Sequence, residues 1–259
     1  MILHPNCKVN IGLHILDKRL DGYHTLHTLF YPVKGLCDCL EVNKSDVFSF
    51  KQSGLVVDCP SENNLVMKCY HVMREQFGWI GDVSIHLEKR IPSGAGLGGG
   101  SSDAAHMAIA LNEIFNLKLS RNTLAQIVTP LGADCPFFIY NCPCRAEGIG
   151  EILTPIDKNT FEGKYIVLVK PDISISTREA YRRLDMLTHI ERTPTSNDFE
   201  QSVFPLYPVL ANIKAKLLEQ NAFYASLSGS GATIFGLFEK EPVDMKNIFP
   251  NCFVYQGIL

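Results

Sequence analysis

The chain has 259 residues, of which 46% are hydrophobic and 20% charged, and its formal net charge is −3. A chain of this length buries roughly 70–75% of its unfolded surface and can fold without disulfides or a structural metal. No run approaches the roughly 18 apolar residues of a membrane span, and the first residues resemble neither a signal nor a transit peptide. We therefore expect a soluble, cytoplasmic protein. The acidic balance and the lack of basic blocks exclude nucleic acid as an expected partner.

The cysteines argue against a zinc site. Nine are scattered along the chain, and the two close pairs, Cys37/Cys39 and Cys142/Cys144, have one residue between them. Structural zinc sites commonly have two to four intervening residues, and no histidine pair lies near either cysteine pair. Unpatterned cysteines in an odd number are typical of a reducing compartment.

The first half of the chain alternates strand and helix patterns. Strands are predicted over 8–16 and 25–32, joined by a turn at Asp21-Gly22, and further strands over 39–42, 47–51 and 83–88. Helical spacing predicts a helix over 64–77. A glycine-rich segment, 91–103, then leads into an alanine-rich helix over 104–115, with Ser101 or Ser102 as the expected N-cap. Another helix is predicted over 123–131.

A turn-rich, polar stretch near 150–163 predicts a domain boundary. Beyond it we expect a strand over 165–169, helices over about 178–187 and 208–220, and a pair of strands interrupted by the glycines of 227–232. This mixture predicts an α+β protein with two domains, 1–155 and 156–259.

A glycine loop before a helix makes an anion site, because backbone amides and the positive helix end can face a phosphate. No lysine follows the glycines as in a Walker A loop, and the protein-kinase tripeptides H-R-D and D-F-G are absent. Gly94, Gly96 and Gly99 match the dinucleotide fingerprint, but no acidic strand end follows about 20 residues later. A Rossmann oxidoreductase and a purely structural loop remain the less favoured alternatives.

Three motifs, in order, resemble the GHMP kinase superfamily. They are the N-terminal segment 5–10, the glycine loop from Pro92 to Asp103, and the C-terminal segment 227–235. The segments Asp21-Gly-Tyr-His-Thr-Leu26 and Gly132-Ala-Asp-Cys-Pro-Phe137 resemble the branch of this superfamily that phosphorylates a CDP-linked polyol. The resemblance implies a ribosomal protein S5 domain 2-like N-terminal domain that binds ATP and a ferredoxin-like C-terminal domain that binds substrate. It also implies ATP and Mg²⁺ as cofactors, and CDP-methylerythritol, of the non-mevalonate isoprenoid pathway, as the substrate.

The resemblance also implies roles for individual residues. Asp134 is the expected base for the substrate hydroxyl, and Lys8 is the cation that orients it and steadies the γ-phosphate. Ser101 or Ser102 is a possible Mg²⁺ ligand. The expected ATP-binding residues are Pro92, Gly94, Gly96, Leu97, Gly98, Gly99, Gly100, Ser101, Ser102 and Asp103. The expected substrate-binding residues are Asn10, Tyr23, His24, Tyr181, Ser228, Gly229, Ser230 and Gly231.

The Asp-Gly-Tyr-His segment also suggests base recognition on its own chemistry. The ring of Tyr23 can stack, and His24 can donate from one nitrogen and accept at the other, matching the edge of cytosine. Homoserine- and mevalonate-type kinases of the superfamily lack this segment and are the alternative enzymes. A catalytically silent nucleotide-binding protein is the alternative outside enzymes, and the presence of both Lys8 and Asp134 argues against it. We expect a monomer or a weak homodimer.

Overall fold

The computed structural model describes residues 1–57, 60–156 and 160–259. Close contacts divide the chain into two compact units. The first unit comprises Met1–Cys7, Leu36–Ser93 and Gly98–Cys142, and the second comprises Lys8–Gly35, Gly94–Leu97 and Pro143–Leu259. These units do not follow a single cut of the chain, and the division into 1–155 and 156–259 stays a prediction.

The first unit combines one sheet with helices. Its strands are β1 (Ile2–Leu3), β4 (Cys39–Lys44), β5 (Ser49–Gly54) and β6 (Val83–Lys89), in the order β1-β4-β6-β5. Its helices are α1 (Leu65–Gln76), α2 (Gly99–Ile114), α3 (Arg121–Val128) and α4 (Cys135–Tyr140), with 3₁₀ turns at Ser61–Asn63 and Thr129–Leu131. Helix α2 packs against α1, α3, α4 and β4, and most of its side chains are buried because its sequence is rich in alanine.

The second unit contains two four-stranded sheets. One is β2-β3-β7-β8, formed by β2 (Asn6–Lys18), β3 (His24–Cys37), β7 (Cys144–Glu147) and β8 (Ile152–Pro155). The other is β10-β11-β9-β12, formed by β9 (Tyr165–Pro171), β10 (Tyr224–Leu227), β11 (Ile234–Phe238) and β12 (Cys252–Ile258). The helices are α5 (Thr177–Leu184), α6 (Phe199–Val203), α7 (Pro208–Glu219) and α8 (Met245–Ile248).

The core of the second sheet is antiparallel and apolar. Strand β9 pairs with β11 on one side and with β12 on the other. Its residues Ile166–Val169 are fully buried, as expected for a central strand covered on both faces. Helix α7 packs on β9, β10 and β11.

Most predicted elements are confirmed with shifted ends, and the α+β class is confirmed with them. The turn at Asp21-Gly22 is also confirmed, since Gly22 has φ +85° and its amide donates to the carbonyl of Arg19 at 3.1 Å. Seven elements of two to seven residues were not predicted from the sequence: β1, α4, β7, β8, α6, α8 and β12. Strand β8 lies within the predicted boundary 150–163, of which 157–159 fall outside the described residues.

One prediction about α2 is wrong. The helix begins at Gly99, and its N-cap is Gly98, in a left-handed conformation and without a side-chain capping bond. Neither Ser101 nor Ser102 is the N-cap, because the last two glycines of the loop already adopt helical geometry. The first turn of α2 is therefore made from residues with little or no side chain.

Candidate active site

Lys8 and Asn10 lie side by side on β2, as residues two apart on a strand do. The Nζ of Lys8 donates to Oδ1 of Asn10 at 2.7 Å, and Nδ2 of Asn10 donates to the hydroxyl of Thr28 at 3.3 Å. Nζ also lies 4.6 Å from the ring centre of Phe30. Lys8 and Asn10 are each only 3% exposed. A lysine so enclosed is a positioned cation, unlike a solvated surface lysine.

Alternate glycines of the first glycine loop adopt conformations that other residues avoid. The φ angles of Gly94, Gly96 and Gly98 are +59°, +73° and +70°. A Cβ atom at Gly96 would lie 2.0 Å from the carbonyl oxygen of Ser228, so a side chain cannot fit there. The Gly-x-Gly-x-Gly spacing is thus explained by the backbone path of the loop.

Residues 94–97 of this loop are held through their carbonyl oxygens. That of Ala95 accepts from the amide of Thr233 at 3.2 Å, and that of Leu97 accepts from the amide of Lys8 at 3.0 Å. The carbonyl of Gly96 accepts from the hydroxyl of Ser228 at 2.8 Å. Lys8 is therefore joined by its own backbone to the loop predicted to bind phosphate.

The start of α2 fits an anion. The first amides of a helix have no acceptor within the helix, and no side chain caps this one. With glycine at positions 98–100, a ligand oxygen can approach the backbone closely. A phosphate at this end would also meet the positive pole of the helix dipole.

The two serines of α2 differ in their surroundings. Ser102 is fully buried, and its hydroxyl lies 3.4 Å from Nδ1 of His106. Ser101 is half-buried, and its side chain hydrogen-bonds the thiol of Cys135. Of the two, Ser101 is the more accessible to a ligand.

The carboxylate of Asp103 lies in a buried charge cluster of the first unit. Lys89 Nζ donates to Asp103 Oδ2 at 2.6 Å and also to Asp38 Oδ2. Asp38 Oδ1 in turn accepts from the amides of Arg90 and Ile91, at 2.5 Å and 2.8 Å. The cluster joins Asp103, in the second turn of α2, to the end of β6 and to the segment that enters the glycine loop.

This cluster holds two carboxylates and one ammonium group away from water. Burial raises the pKa of Asp103 to about 7 against the opposing charge of Lys89, and Asp38 adds to the rise. Burial also lowers the pKa of Lys89, but the two carboxylates more than offset this and leave it above its usual value. Oδ1 of Asp103 is buried without a hydrogen-bond partner.

Asp134 occupies the N-cap position of α4, a helix that the sequence analysis missed. Its side chain does not cap the helix. The residue is half-buried. Burial raises the pKa of the neighbouring Cys135 to about 12, and the charge of Asp134 contributes to this rise. Asp134 lies in the first unit, and Lys8 in the second.

The second glycine loop joins β10 to β11. The amide of Ser228 donates to the carbonyl of Thr233 at 2.9 Å, and that of Gly231 donates to the carbonyl of Ser228 at 3.0 Å. The hydroxyl of Ser230 lies 3.1 Å from that of Thr177, the first residue of α5. A Cβ at Gly229 would lie 3.4 Å from Cα of Gly96, so the two glycine loops approach each other closely within the second unit.

Two residues that were not predicted from the sequence, Asn197 and Glu200, hydrogen-bond the backbone of the second loop. Nδ2 of Asn197 donates to the carbonyls of Leu227 and Gly229, both at 2.8 Å. Glu200 Oε1 accepts from the amide of Leu227 at 2.9 Å. In the sequence, the segment 190–198 is polar and was predicted to be a connection. The large apolar residue that follows it, Phe199, is the one sequence signal of a packed element there, and it is buried.

The predicted base-recognition residues share the second unit. The His24 ring stacks on the Tyr181 ring, with centroids 4.7 Å apart and an interplanar angle of 20°. His24 is 8% exposed, whereas Tyr23 is 60% exposed. His24 Nε2 lies 2.6 Å from Oδ1 of Asp185, a residue that the sequence analysis did not single out.

Within residues 1–57, 60–156 and 160–259, no group of three or more His, Cys, Asp or Glu side chains is arranged to hold a metal ion. None of the helices in the described part of the chain is long and apolar enough to cross a membrane.

Comparison with known proteins identifies relatives over the whole chain. The model of the GHMP kinase N-terminal domain matches residues 64–142, and that of the GHMP kinase C-terminal domain matches residues 180–252. The 4-diphosphocytidyl-2-C-methyl-D-erythritol kinase of Bacteroides fragilis strain YCH46 is 46% identical, with 99% of this chain and 98% of the relative covered.

Solved structures of GHMP kinases have the same fold as this chain. A crystal structure of 4-(cytidine 5'-diphospho)-2C-methyl-D-erythritol kinase is 32% identical, covers 99% of this chain and 98% of its own, and gives a TM-score of 0.82. Homoserine kinase from Cytophaga hutchinsonii gives a TM-score of 0.73 at 18% identity, with 98% and 95% covered, and shows the fold alone. The resemblance to GHMP kinases and the two-domain fold predicted from it are confirmed.

Proposed function

Since this chain belongs to the 4-diphosphocytidyl-2-C-methyl-D-erythritol kinases, a family of GHMP kinases, we propose that it phosphorylates the 2-hydroxyl of 4-diphosphocytidyl-2-C-methyl-D-erythritol. ATP is the phosphoryl donor. The reaction belongs to the non-mevalonate route to isoprenoid precursors.

The observation that carries the proposal is the link between Lys8 and the first glycine loop. The backbone of Lys8 is bonded to Leu97, and its ammonium group is buried against Asn10. A cation held in this way faces little reorganisation when charge moves between the phosphates. Asn10 is the neighbour that can hold a hydroxyl or diphosphate oxygen of the substrate.

Residues 92–103 are proposed to hold the phosphates of ATP. The glycines at 94, 96, 98, 99 and 100 supply close backbone approach, and the first turn of α2 supplies amide donors. Pro92 and Leu97 shape the loop. Asp103 lies in the second turn of α2, where its carboxylate is held by Lys89.

Asp134 is proposed as the base. As the substrate hydroxyl oxygen bonds to the γ-phosphorus, the bond from that phosphorus to the leaving oxygen of ADP breaks. The hydroxyl proton passes to the Asp134 carboxylate. Lys8 stabilises the charge on the transferring group.

Mg²⁺ prefers oxygen ligands and usually keeps several waters, so one or two protein oxygens are enough to hold it. The hydroxyl of Ser101 is the proposed protein ligand, since Ser102 is fully buried. When bound, the ion would neutralise phosphate charge.

The cytidine end of the substrate is proposed to lie at Tyr23, His24 and Tyr181. The exposed ring of Tyr23 is free to turn onto a base, and the stacked pair of His24 and Tyr181 offers aromatic surface with a polar edge. Residues Ser228–Gly231 are proposed to contact the diphosphate or the erythritol portion, because this loop lies against Gly96 and near Asn10.

Phosphoryl transfer from γ-labelled ATP tests the proposal directly. The purified protein is given CDP-methylerythritol, homoserine or mevalonate, and labelled products are separated. We expect label only in the CDP-linked product. Label in a homoserine or mevalonate product instead would reassign the enzyme within the GHMP kinases, and no label in any product would favour a silent nucleotide-binding protein.

A further inference from the structure

His24 has a carboxylate partner carried by the same helical turn as its stacking partner. Asp185 is the C-cap of α5, and its amide donates to the carbonyl of Tyr181 at 2.9 Å. Tyr181 stacks on the face of the His24 imidazole, while Oδ1 of Asp185 lies 2.6 Å from its Nε2. The end of α5 therefore fixes both the plane of the ring and the direction of one ring nitrogen.

The carboxylate of Asp185 has a second hydrogen-bond partner, Lys18. Lys18 Nζ donates to Oδ2 of Asp185, on the opposite oxygen from His24. Burial raises the pKa of Asp185, but the hydrogen bonds from Lys18 and His24 more than offset this effect. The pKa of Asp185 is therefore below its usual value, and the carboxyl group is ionised. Lys18 therefore balances the charge of the carboxylate.

The hydrogen-bond chemistry then sets the tautomer of His24. An ionised carboxylate only accepts, so the nitrogen facing it carries the hydrogen. In a neutral imidazole the other nitrogen, Nδ1, is left as an acceptor. An acceptor can bind the exocyclic amino group of cytosine, and it repels the carbonyl oxygen that uracil has at the same position.

We propose that Asp185 is a positioning residue that holds His24 as the Nε2–H tautomer and thereby selects a cytosine-bearing substrate over a uracil-bearing one. The inference rests on the proposed function, because it takes the region around His24 as the base site. Asp185 acts through His24 and does not itself contact the base.

The first test does not depend on activity. Nitrogen-15 chemical shifts of the His24 ring at pH 7.5 distinguish a protonated from an unprotonated nitrogen. We expect Nε2 protonated and Nδ1 unprotonated in the wild type, and a mixture of tautomers in Asp185→Leu, which has similar size but no acceptor. A wild-type ring with its hydrogen on Nδ1 would overturn the proposal without any variant.

The second test measures base selection. The ratio of kcat/KM for CDP-methylerythritol to that for the UDP-linked counterpart should fall about tenfold or more in Asp185→Leu, mainly through KM. Asp185→Asn keeps an acceptor oxygen, so its kcat/KM ratio should lie between those of Asp185→Leu and the wild type. This variant also tests the proposal if Asp185→Leu does not fold. Asp172→Asn, an exposed residue outside the site, is the matched control and should keep the wild-type ratio.

An unchanged ratio in both Asp185 variants would overturn the proposal while leaving the kinase assignment intact. Failure of the proposed function looks different, because the wild-type protein would then phosphorylate neither the CDP-linked nor the UDP-linked compound. The ring nitrogen shifts would still report whether Asp185 sets the tautomer.

Discussion

The two glycine-rich loops of this protein are held in different ways. The carbonyl oxygens of Ala95, Gly96 and Leu97 in the first loop are bound by donors from β2 and from the neighbourhood of the second loop. The second loop is held by side chains from a distant segment, where Asn197 binds two of its carbonyls and Glu200 one of its amides.

This difference explains why the first loop is the easier one to recognise. Gly94, Gly96, Gly98, Gly99 and Gly100 leave a dense pattern in the sequence, whereas the second loop contains Gly229 and Gly231, and glycines of both loops have positive φ angles. The second loop depends on Asn197 and Glu200, about 30 positions away, and the sequence around its glycines does not indicate these partners. Substitutions and pH changes that disturb the loops or the residues that hold them test this difference.

Gly96→Ala should have the largest effect, because it disturbs the point where the two loops meet. Its Cβ would lie 2.0 Å from the Ser228 carbonyl oxygen at a φ of +73°. Left-handed strain and overpacking together should lower the free energy of unfolding by about 2–5 kcal/mol. Urea denaturation measures this. Gly78→Ala is the control, since no atom lies within 4 Å of its Cβ position, and equal stability of the two variants would contradict the account.

A change of pH should disturb the charge cluster behind α2, through the carboxyl group of Asp103. The folded pKa of Asp103, about 7, lies above the value of roughly 4 in an unfolded chain. Its contribution to stability is therefore complete below pH 4 and is lost as the pH rises towards and through 7. The slope is at most about 1.4 kcal/mol per pH unit while this one group titrates.

Asp103→Asn, which cannot ionise, checks that prediction. Unfolding is measured for this variant and for the wild type at pH 5 and pH 8. The variant should gain stability relative to the wild type as the pH rises. A difference that stays constant between the two pH values would show that Asp103 does not titrate in this range.

Asn197→Ala should loosen the second loop and leave the first in place. Removing Nδ2 leaves two buried carbonyls without their donor, at a cost of about 1–3 kcal/mol. The KM for the CDP-linked substrate should rise more than the KM for ATP in steady-state kinetics. Asn212→Ala, at an exposed position of α7, provides the comparison. A larger rise in the KM for ATP would mean that Asn197 supports the first loop instead.

Much of the architecture could be predicted because its signals are local. The hairpin at Asp21-Gly22, the long alanine-rich helix and the central strand β9 each carry a clear turn signal or apolar pattern. The missed elements are short, and α4 follows Asp134 so closely that its sequence reads as a turn. The N-cap was misplaced because glycine, unlike serine, gives no sign of where a helix begins.

The candidate site also contains residues that the sequence predicts and residues that it does not. Lys8, Asn10 and the glycines follow from motifs, whereas Asp185, Asn197 and Lys89 act through partners far along the chain. A half-exposed aspartate at a helix end and a polar segment before a short helix are common in any sequence. Only their contacts in the folded chain distinguish them.

The central claim is that Asp134 takes the hydroxyl proton at a site whose phosphates are held by the glycine loop. Single-turnover transfer from ATP to CDP-methylerythritol, measured for the wild type and for Asp134→Asn together with ATP binding, tests it most directly. We expect the transfer rate of the variant to fall by about 10²–10⁴ while ATP binding is retained. A variant that transfers phosphate at the wild-type rate would contradict the claim.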